Sequence, residues 1–492
     1  MASRKDELNA YTYAKRRTVA AFLRPSPTGT EEGAPRPLRA VVPGAVAGAL
    51  VLIGFGAWGL FRPAVPEGWD EPGRHVIIGS DSTTRYVVLE TAGRTQLHPV
   101  LNLSSARLLL DSPDALSIVN VDEEQLDSGT IPRGPTLGIP YAPDRLPDAA
   151  EAAAAKRWAV CQQPGGDGGT VQQAVFVLAD RDTARVEGDE RLTGGELLHV
   201  QDSAGTDHIV DAAGTRYRIG DDGTGEEERR LLRRLLTSGG EPQRVTDEWL
   251  ATLAEGSPIV FPELDGAPGE DAGVPGLRAE LNRVGTVLTA RTGDGPQQYA
   301  VLPGRVVPVS DFTGMLLTNR PGAESLGMAG EPVPAGAADF DPAPPEESID
   351  RDRTWPSAEP APVDDAARDT LCSVLLSVDG DGGTEVATWA GEDYPAAIAS
   401  GAATAYVTPG SGLLYRQVQG EQTESGGVFL ATDTGLRHAV QVTADGDEAG
   451  EEAQTLLGYG GITPVPVPAT WSTLLPTGPQ LDRDSAAQPQ GS

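Results

Sequence analysis

The first chemistry to look for is a phosphate-binding loop, which needs a lysine directly after a glycine-rich turn. In the pattern G-x-x-x-x-G-K-[ST] that lysine reaches the β- and γ-phosphates. The chain has three lysines, Lys5, Lys15 and Lys156, and none of them follows a glycine-rich turn. The glycine clusters at 165–170 and 458–461 are therefore interpreted as ordinary loops, and we expect no cofactor-binding residues there.

Metal-binding and nucleophilic patterns do not occur in the sequence either. The five histidines are far apart and lack the spacing of metal ligands: His75, His98, His199, His208 and His438. The acidic stretch at 379–385 is similar to a Ca²⁺ loop, but it lacks the 12-residue ligand pattern and favours a hairpin turn. There is no G-x-S-x-G nucleophile elbow. We expect no catalytic and no metal-binding residues.

The two cysteines, Cys161 and Cys372, lie in apolar, strand-like segments. Neither belongs to a local pattern of histidine and aspartate that would activate a thiol. An even number of cysteines in an oxidising compartment favours a disulfide. A bond between these two would close a loop of 211 residues, which stabilises the fold by about 5 kcal/mol in the chain-entropy model. Two unpaired buried thiols are the alternative, and both interpretations make the cysteines structural.

Charge is distributed unevenly along the chain. The net charge is −33, and the first 61 residues hold eight basic and four acidic side chains, which leaves −37 for residues 62–492. A nucleic-acid-binding surface needs the opposite sign, so this class is excluded for residues 62–492. Because about 430 residues exceed the usual size of one core, we expect two or more packed units.

The uncharged run at residues 40–61 is long enough to cross a membrane. As a helix, its 22 residues span about 33 Å, against a hydrocarbon core of about 30 Å. A secretory signal has a shorter apolar region and a small-residue cleavage site, whereas this run ends with Trp58 and Phe61, which suit a membrane interface. We expect a transmembrane anchor; a cleaved signal and a buried core helix are the alternatives.

The flanking charges predict the orientation of this run. Because basic residues dominate before it, the positive-inside rule places residues 1–39 in the cytoplasm and residues 62–492 outside the cell membrane. Residues 3–24 predict a short amphipathic helix that lies on the inner leaflet or binds a cytoplasmic partner. A loosely ordered basic tail is the alternative.

Beyond the run, the pattern is mainly β with short helices, an α+β class. One theme recurs: a strand with an aromatic residue, a glycine turn, an arginine or polar residue, and a second apolar strand. Its four copies predict small β-rich repeats near residues 75–125, 205–262, 296–320 and 426–481. The copies are unevenly spaced, which excludes a regular solenoid.

The segments between these repeats have different compositions. Further strand patterns, which include both cysteines, predict a central β domain formed by residues 155–203 and 370–420. Residues 318–370 are rich in proline, alanine, glycine and acid, and predict a linker, because such a composition buries little apolar surface. Residues 482–492 predict a disordered tail.

Three stretches carry a family resemblance when they are taken together. The first is Tyr-Ala-Lys-Arg-Arg at 13–17, followed by the lone apolar run. The second joins Thr-Pro-Gly-Ser-Gly at 408–412 to Asp-Thr-Gly-Leu-Arg at 433–437, and the third joins Leu-Gly-Tyr at 457–459 to Pro-Thr-Gly-Pro-Gln-Leu at 476–481. In this order they resemble the EccB family, the single-pass membrane subunit of the actinobacterial type VII (ESX) secretion machinery.

The resemblance covers nearly the whole chain and implies a fold. It implies four small β-rich repeats around a central β domain, with an elongated, quasi-twofold shape and one disulfide in the extracytoplasmic part. It also implies partners of the EccC, EccD and EccE type. Family members are often described as ATPases, but the resemblance assigns that activity to no residue of this sequence. The segment 318–370 is longer than the resemblance leads us to expect.

We therefore predict a structural core subunit that anchors and assembles a protein-export channel. Its extracytoplasmic part would self-associate and would need no cofactor. One alternative is an extracytoplasmic ATPase of the same machinery. The other is a membrane-anchored receptor for the cell wall or for secreted substrates.

Overall fold

The N-terminal sequence forms two helices. The computed structural model describes residues 3–23, 38–60, 67–112, 117–165, 169–293, 295–363, 367–398, 404–420, 422–441 and 448–490. Helix α1 is Arg4–Leu23, and helix α2 is Leu38–Leu60, which includes residues 40–60 of the apolar run. Within the described residues, no helix is both long and apolar enough to cross a membrane. The span at 40–61 stays a prediction.

The first peripheral sheet follows directly in the chain. It contains β1 (His75–Gly79), β2 (Arg85–Thr91), β3 (Arg94–Val100), α3 (Leu103–Leu108), β4 (Ser117–Val121) and α4 (Glu123–Leu126). β1, β2 and β3 form an antiparallel meander, and β4 returns parallel to β1. The turn between β2 and β3 holds Ala92 and Gly93, both with positive φ, as a two-residue hairpin loop requires.

The central sheet starts next and is interrupted by two further sheets. Its first elements are α5 (Ala149–Ala153), β5 (Arg157–Gly165) and β6 (Gly169–Leu178). The second peripheral sheet contains β7 (Glu196–Gln201), β8 (Asp207–Asp211), β9 (Thr215–Arg218), α6 (Glu226–Leu236), β10 (Gln243–Arg244), α7 (Asp247–Leu250) and β11 (Ala254–Glu255). The third contains β12 (Val287–Thr292), β13 (Gly295–Leu302), β14 (Arg305–Val309), α8 (Asp311–Thr318) and β15 (Val333–Pro334).

The last part of the chain completes the central sheet and adds a fourth peripheral sheet. Strand β16 (Ala361–Pro362) pairs with β7, and β17 (Thr370–Val378), β18 (Thr384–Gly391) and β19 (Ala405–Val407) join β5 and β6 in the order β18-β17-β5-β6-β19. The fourth sheet contains β20 (Gly412–Val418), β21 (Val428–Thr432), β22 (Arg437–Gln441), α9 (Glu448–Gln454), β23 (Val465–Pro468) and α10 (Ala469–Ser472), and α11 (Arg483–Ala486) follows. The predicted sheet-rich α+β fold is confirmed.

One strand path recurs in the peripheral sheets of the described residues. In each of them three strands form an antiparallel meander, a helix follows the third strand, and a fourth strand returns parallel to the first. The returning strands are β4, β10, β15 and β23. The parallel return needs a crossover, which the helix supplies.

A shared core joins the central sheet to the second and fourth sheets. Trp158, Trp249, Tyr415 and Trp471 lie in this core, and each is fully buried. The ring of Trp158 stands edge-on to that of Tyr415, with centroids 5.7 Å apart. Such aromatic contacts add about 0.5–1.5 kcal/mol to the free energy of burial. The packing therefore holds three sheets together.

Two other cores connect pairs of peripheral sheets. The first and fourth sheets share a core that includes Val76, Leu108, Leu430 and Tyr459. Tyr217 of the second sheet and Phe312 of helix α8 in the third sheet lie in another shared core. The first and last parts of the described outer chain are therefore one packed unit.

The structure corrects three of the predicted repeat boundaries. The segments 205–262, 296–320 and 426–481 each omit the first strand of their sheet, which is β7, β12 or β20. The segments 155–203 and 370–420, which the sequence predicts as the central domain, include β7 and β20. The recurring glycine-turn theme marks the second and third strands of each sheet, and alternation alone does not say which sheet an isolated strand joins.

Residues 318–370 are not a free linker where the structure describes them. Leu326, Met328 and Phe340 are buried in the third sheet. The indole Nε1 of Trp355 donates a hydrogen bond to the carbonyl of Pro258 at 3.0 Å. Single apolar residues anchor this segment at intervals, and its average composition hides them.

The prediction of a disordered tail at 482–492 is wrong for residues 482–490. Helix α11 begins at Arg483, and Ala486 is fully buried. The backbone N–H of Gln490 donates to the carbonyl of Thr136 at 2.8 Å. A polar tail becomes ordered here because it contacts the first sheet.

The core predicts a measurable effect of the Trp249→Ala substitution. Trp249 is fully buried, and its Nε1 donates to the carbonyl of Val160 on β5 at 3.0 Å. We expect a loss of about 3–5 kcal/mol in unfolding free energy, measured by denaturant titration of residues 62–492. Trp249→Phe is the control, because it keeps most of the volume and should lose less. An unchanged midpoint for Trp249→Ala would contradict this description of the core.

Candidate functional site

The central sheet holds both cysteines on neighbouring strands. Strands β5 and β17 are antiparallel, and their register places Cys161 opposite Cys372 with Cα atoms 4.0 Å apart and the sulfurs joined in a disulfide. Both residues are fully buried, beside Phe176 and Trp389. The bond closes a sequence separation of 211 residues, which contains the second and third sheets. It fastens the two halves of the central sheet to each other.

Lys156, the only lysine after residue 15, is used inside the fold. Its side chain is 2% exposed and forms an ion pair with the carboxylate of Glu151 at 3.1 Å. The Nζ group also donates to the carbonyls of Glu151 and Ala154, at 2.8 and 3.0 Å. These contacts satisfy carbonyl groups at the end of α5. The ammonium group therefore serves the protein and does not project from a glycine-rich loop.

The glycine-rich stretch at 458–461 has a structural role. Gly458 adopts a φ of +94°, which favours glycine. It lies against Arg107, whose Nη1 donates to the carbonyl of Leu457 at 2.7 Å. This contact joins the fourth sheet to α3 of the first. In the other stretch, 165–170, residues 166–168 lie outside the described residues.

The acidic stretch at 379–385 forms the turn between β17 and β18. The Oδ1 atom of Asp379 accepts hydrogen bonds from the N–H groups of Asp381 and Gly383, at 2.9 and 2.7 Å. The carboxylate therefore closes its own loop. Within the described ranges, no group of three or more histidine, cysteine, aspartate and glutamate side chains is arranged to hold a metal ion.

A cavity of about 580 Å³ lies between the second sheet and the segment around Trp355. Its lining has four carboxylates, of Asp221, Glu228, Glu263 and Asp352, and one arginine, Arg353. Such a wall repels the phosphates of a nucleotide. The cavity therefore suits a neutral or cationic group better than ATP.

Strand β4 gives the first peripheral sheet an open edge. It pairs with β1, and no other strand of the described residues lies on its far side. It contains no proline, and Ile118 is 49% exposed. The returning strands β10 and β15 have only two residues each, and β23 contains Pro466 and Pro468. Short strands and prolines blunt an edge, so β4 is the returning strand best able to pair with another chain.

The sequence analysis did not single out this edge. The alternation in Ser-Ile-Val-Asn-Val at 117–121 is visible in the sequence. The openness of its far side depends on the sheet order, which one sequence does not reveal. The sequence-predicted site residues Cys161 and Cys372 lie far along the chain from this edge, in the central sheet.

Comparison with known proteins places the chain in a family. A family model described as "Type VII secretion system ESX-1, transport TM domain B" matches residues 1–491. The chain therefore belongs to the EccB family of type VII secretion systems. This confirms the family that the sequence resemblance indicated.

Curated relatives match over most of their length. The chain is 28% identical over 475 residues to "ESX-3 secretion system ATPase EccB3" of Mycolicibacterium smegmatis, which covers 91% of this chain and 83% of the relative. It is 28% identical over 516 residues to "ESX-5 secretion system ATPase EccB5" of Mycobacterium marinum, which covers 98% and 93% of the two chains.

Solved structures share the fold. A chain in the structure of an intact ESX-5 inner membrane complex is similar with a TM-score of 0.60 at 23% identity, over 100% of this chain and 96% of the other. A chain of the EccB3 dimer from the ESX-3 core complex gives a TM-score of 0.59 at 24% identity, over 84% and 99%.

Removal of the disulfide should destabilise the outer part. For the double variant Cys161→Ala/Cys372→Ala we expect a loss of about 2–5 kcal/mol in unfolding free energy, because the unfolded chain regains the freedom of a long loop. Denaturant unfolding with and without reductant measures the loss, and reduced wild-type protein is the control. Peptide mapping without reductant should recover one linked Cys161–Cys372 pair. Free thiols at both positions after denaturation without reductant would contradict the assignment.

Proposed function

We propose that this chain is the structural core subunit of a type VII secretion membrane complex, and that its outer part assembles the protein-export channel. The observation that carries the proposal is the family match over residues 1–491. The contacts of the Cys161–Cys372 pair and of Lys156 support it, because these chemically reactive groups hold the fold together.

The proposed topology is a single membrane pass. Residues 40–61 would cross the cell membrane, residues 1–39 would lie in the cytoplasm, and residues 62–492 would lie outside. The length of the uncharged run and the basic residues before it support this orientation. A buried disulfide in the outer part also suits an oxidising compartment.

In this proposal the peripheral sheets are repeats of one unit around the central sheet, and the first and fourth are related by a quasi-twofold axis. Two matching hydrogen bonds support the relation. Nδ1 of His98 bonds the carbonyl of Pro135, and Nδ1 of His438 bonds the carbonyl of Pro479, both at 2.9 Å. In both places the residue before the proline is a glycine, where a Cβ would collide with the imidazole ring.

The proposed partners are of two kinds. Subunits of the EccC, EccD and EccE type would contact the membrane and cytoplasmic parts, and a second copy of this chain would contact the outer part. The open edge of β4 supports the second contact, because strand addition satisfies unpaired backbone groups. Two related solved structures, an intact ESX-5 inner membrane complex and an EccB3 dimer, support the same assignment.

A nucleotide hydrolase is the second candidate, because the relatives carry the word ATPase in their names. Such an activity needs a cationic group at the β- and γ-phosphates. Lys156 is buried in contacts with the protein, and the cavity beside Trp355 has four carboxylates against the single arginine Arg353. An arginine could replace the lysine, so the two candidates are distinguished by measurement.

We expect no saturable ATP hydrolysis by purified residues 62–492. Lys156, the one lysine in this segment, is held by the carboxylate of Glu151 and by carbonyl groups at the end of α5. The measurement is phosphate release against ATP concentration, with and without Mg²⁺. Asp352→Asn changes a cavity carboxylate, and Asp222→Asn changes an exposed carboxylate that does not line that cavity. Saturable turnover that Asp352→Asn abolishes and Asp222→Asn preserves would overturn the expectation.

Self-association of the outer part should depend on β4 and on salt. The charge of −37 opposes contact between copies, and the Debye length falls from about 30 Å at 0.01 M salt to about 8 Å at 0.15 M. We expect weak association that strengthens with salt, measured by sedimentation of residues 62–492. Ile118→Lys should weaken it about tenfold or more, since a lysine on an edge strand disfavours pairing.

Leu101→Lys is the matched control for this experiment. Leu101 is 42% exposed, belongs to the same sheet region and lies outside β4, and the substitution changes the net charge equally. Equal effects of the two substitutions would remove β4 from the interface. A strict monomer at all salt concentrations, with no copy-to-copy crosslinks in membranes, would favour the anchored-receptor alternative.

A further inference from the structure

A small cavity in the second peripheral sheet has a basic wall. Its volume is about 290 Å³, and its lining includes His208, Arg216, Arg218 and Glu255. Pockets for drug-sized ligands usually measure about 300–1,000 Å³. The cavity therefore suits a small ligand, and its chemistry is unusual on a protein with a net charge of −33.

The sheet register brings the basic side chains together. His208 on β8 pairs directly with Arg218 on β9. Glu255 on β11 pairs with Arg216 on the other side of β9. Residues two apart on a strand face the same side, so Arg216 and Arg218 share the face that carries His208.

The imidazole of His208 is buried and incompletely paired. Its side chain is 10% exposed, and its Nε2 lies 3.1 Å from Oδ2 of Asp202. Its Nδ1 is buried and has no hydrogen-bond partner among the described residues. The Nε of Arg216 is also buried and has no hydrogen-bond partner among the described residues. Because Nε2 faces the carboxylate of Asp202, it carries the hydrogen and Nδ1 of the neutral imidazole is an acceptor, whereas the Nε of Arg216 is a donor. Buried polar nitrogens without a partner are rare in folded proteins, and an oxyanion that keeps one proton, such as hydrogen phosphate, can accept from Arg216 and donate its O–H to Nδ1.

The carboxylates that pair with the two arginines do not neutralise them firmly. Glu255 is 3.2 Å from Arg216, and Asp222 is 2.8 Å from Arg218, but these carboxylate side chains are 79% and 95% exposed. Exposed ion pairs contribute about 0–1 kcal/mol. A ligand held by both guanidinium groups can therefore compete with them, since charge-assisted hydrogen bonds inside a cavity are stronger.

We propose that this cavity is a binding site for a small oxyanion, a phosphate or carboxylate group, held by Arg216 and Arg218 and approached by the edge of His208. This function is separate from the assembly role of β4. Asp202 orients the imidazole through Nε2. Glu255 lines the cavity and competes with the ligand for Arg216.

The test is isothermal titration calorimetry of the full-length chain in detergent. Inorganic phosphate and acetate are the two probes, and sodium chloride keeps the ionic strength constant. We expect saturable binding of at least one probe at one site per chain, and the probe that binds identifies the group. Arg216→Gln/Arg218→Gln should weaken binding about tenfold or more, because two charge-assisted hydrogen bonds are lost.

Two further variants make the result specific. Arg230→Gln/Arg234→Gln changes the net charge equally on helix α6 of the same sheet, and these arginines line a different cavity, so the affinity should stay within about twofold. Glu255→Gln removes the competing carboxylate and should tighten binding. Because Glu255 is mainly exposed, this variant should fold normally.

Three outcomes would overturn the proposal. The first is the absence of saturable binding of both phosphate and acetate to the wild-type chain. The second is an equal loss of affinity in the two double-arginine variants, which would indicate a general charge effect. The third is weaker binding in Glu255→Gln.

Discussion

The pairing of β5 with β17 is the constraint on which the outer part depends. The two strands are neighbours at the middle of the central sheet, although Cys161 and Cys372 are separated by 211 residues. The chain between these cysteines forms the second and third sheets. It must therefore leave the central sheet and return to it beside β5. Closing so long a loop is unfavourable in the unfolded chain, and the disulfide removes that disadvantage once it has formed.

Packing extends this constraint to the rest of the molecule. The tryptophans around Tyr415 join the central sheet to the second and fourth sheets, and the fourth sheet shares its other face with the first. The first and last segments of the outer chain thus meet across a core. An assembly subunit benefits from such closure, because packed sheets hold the open edge of β4 in a fixed position relative to the other sheets.

The charged side chains do not follow the arrangement of the buried cores. We expect the acidic surface to oppose contact between copies of the outer part at low salt, so that contacts between copies need a specific edge or a shared membrane. Lys156 is buried in an ion pair with Glu151. Arg216 and Arg218 pair with exposed carboxylates. The second sheet departs from this pattern at His208, where buried nitrogen atoms have no partner among the described residues.

The sequence predicts the sheet-rich class, the family and the cysteine pair, because these depend on local alternation, motif order and cysteine number. It misses β7, β12 and β20 as first strands, since their partners are chosen by tertiary packing. It also misses the order at 318–363 and 482–490, where single residues such as Phe340 and Ala486 are buried in neighbouring sheets. The His208 cavity could not be foreseen, because its residues come together through the register of β8, β9 and β11.

The most direct test of the central claim is purification of the tagged full-length chain from native membranes in mild detergent, with partners identified by mass. The account predicts more than one copy of the chain in a stable particle with membrane subunits of the EccC, EccD and EccE type. Recovery of the chain as a lone monomer, under conditions that keep those subunits together, would contradict it.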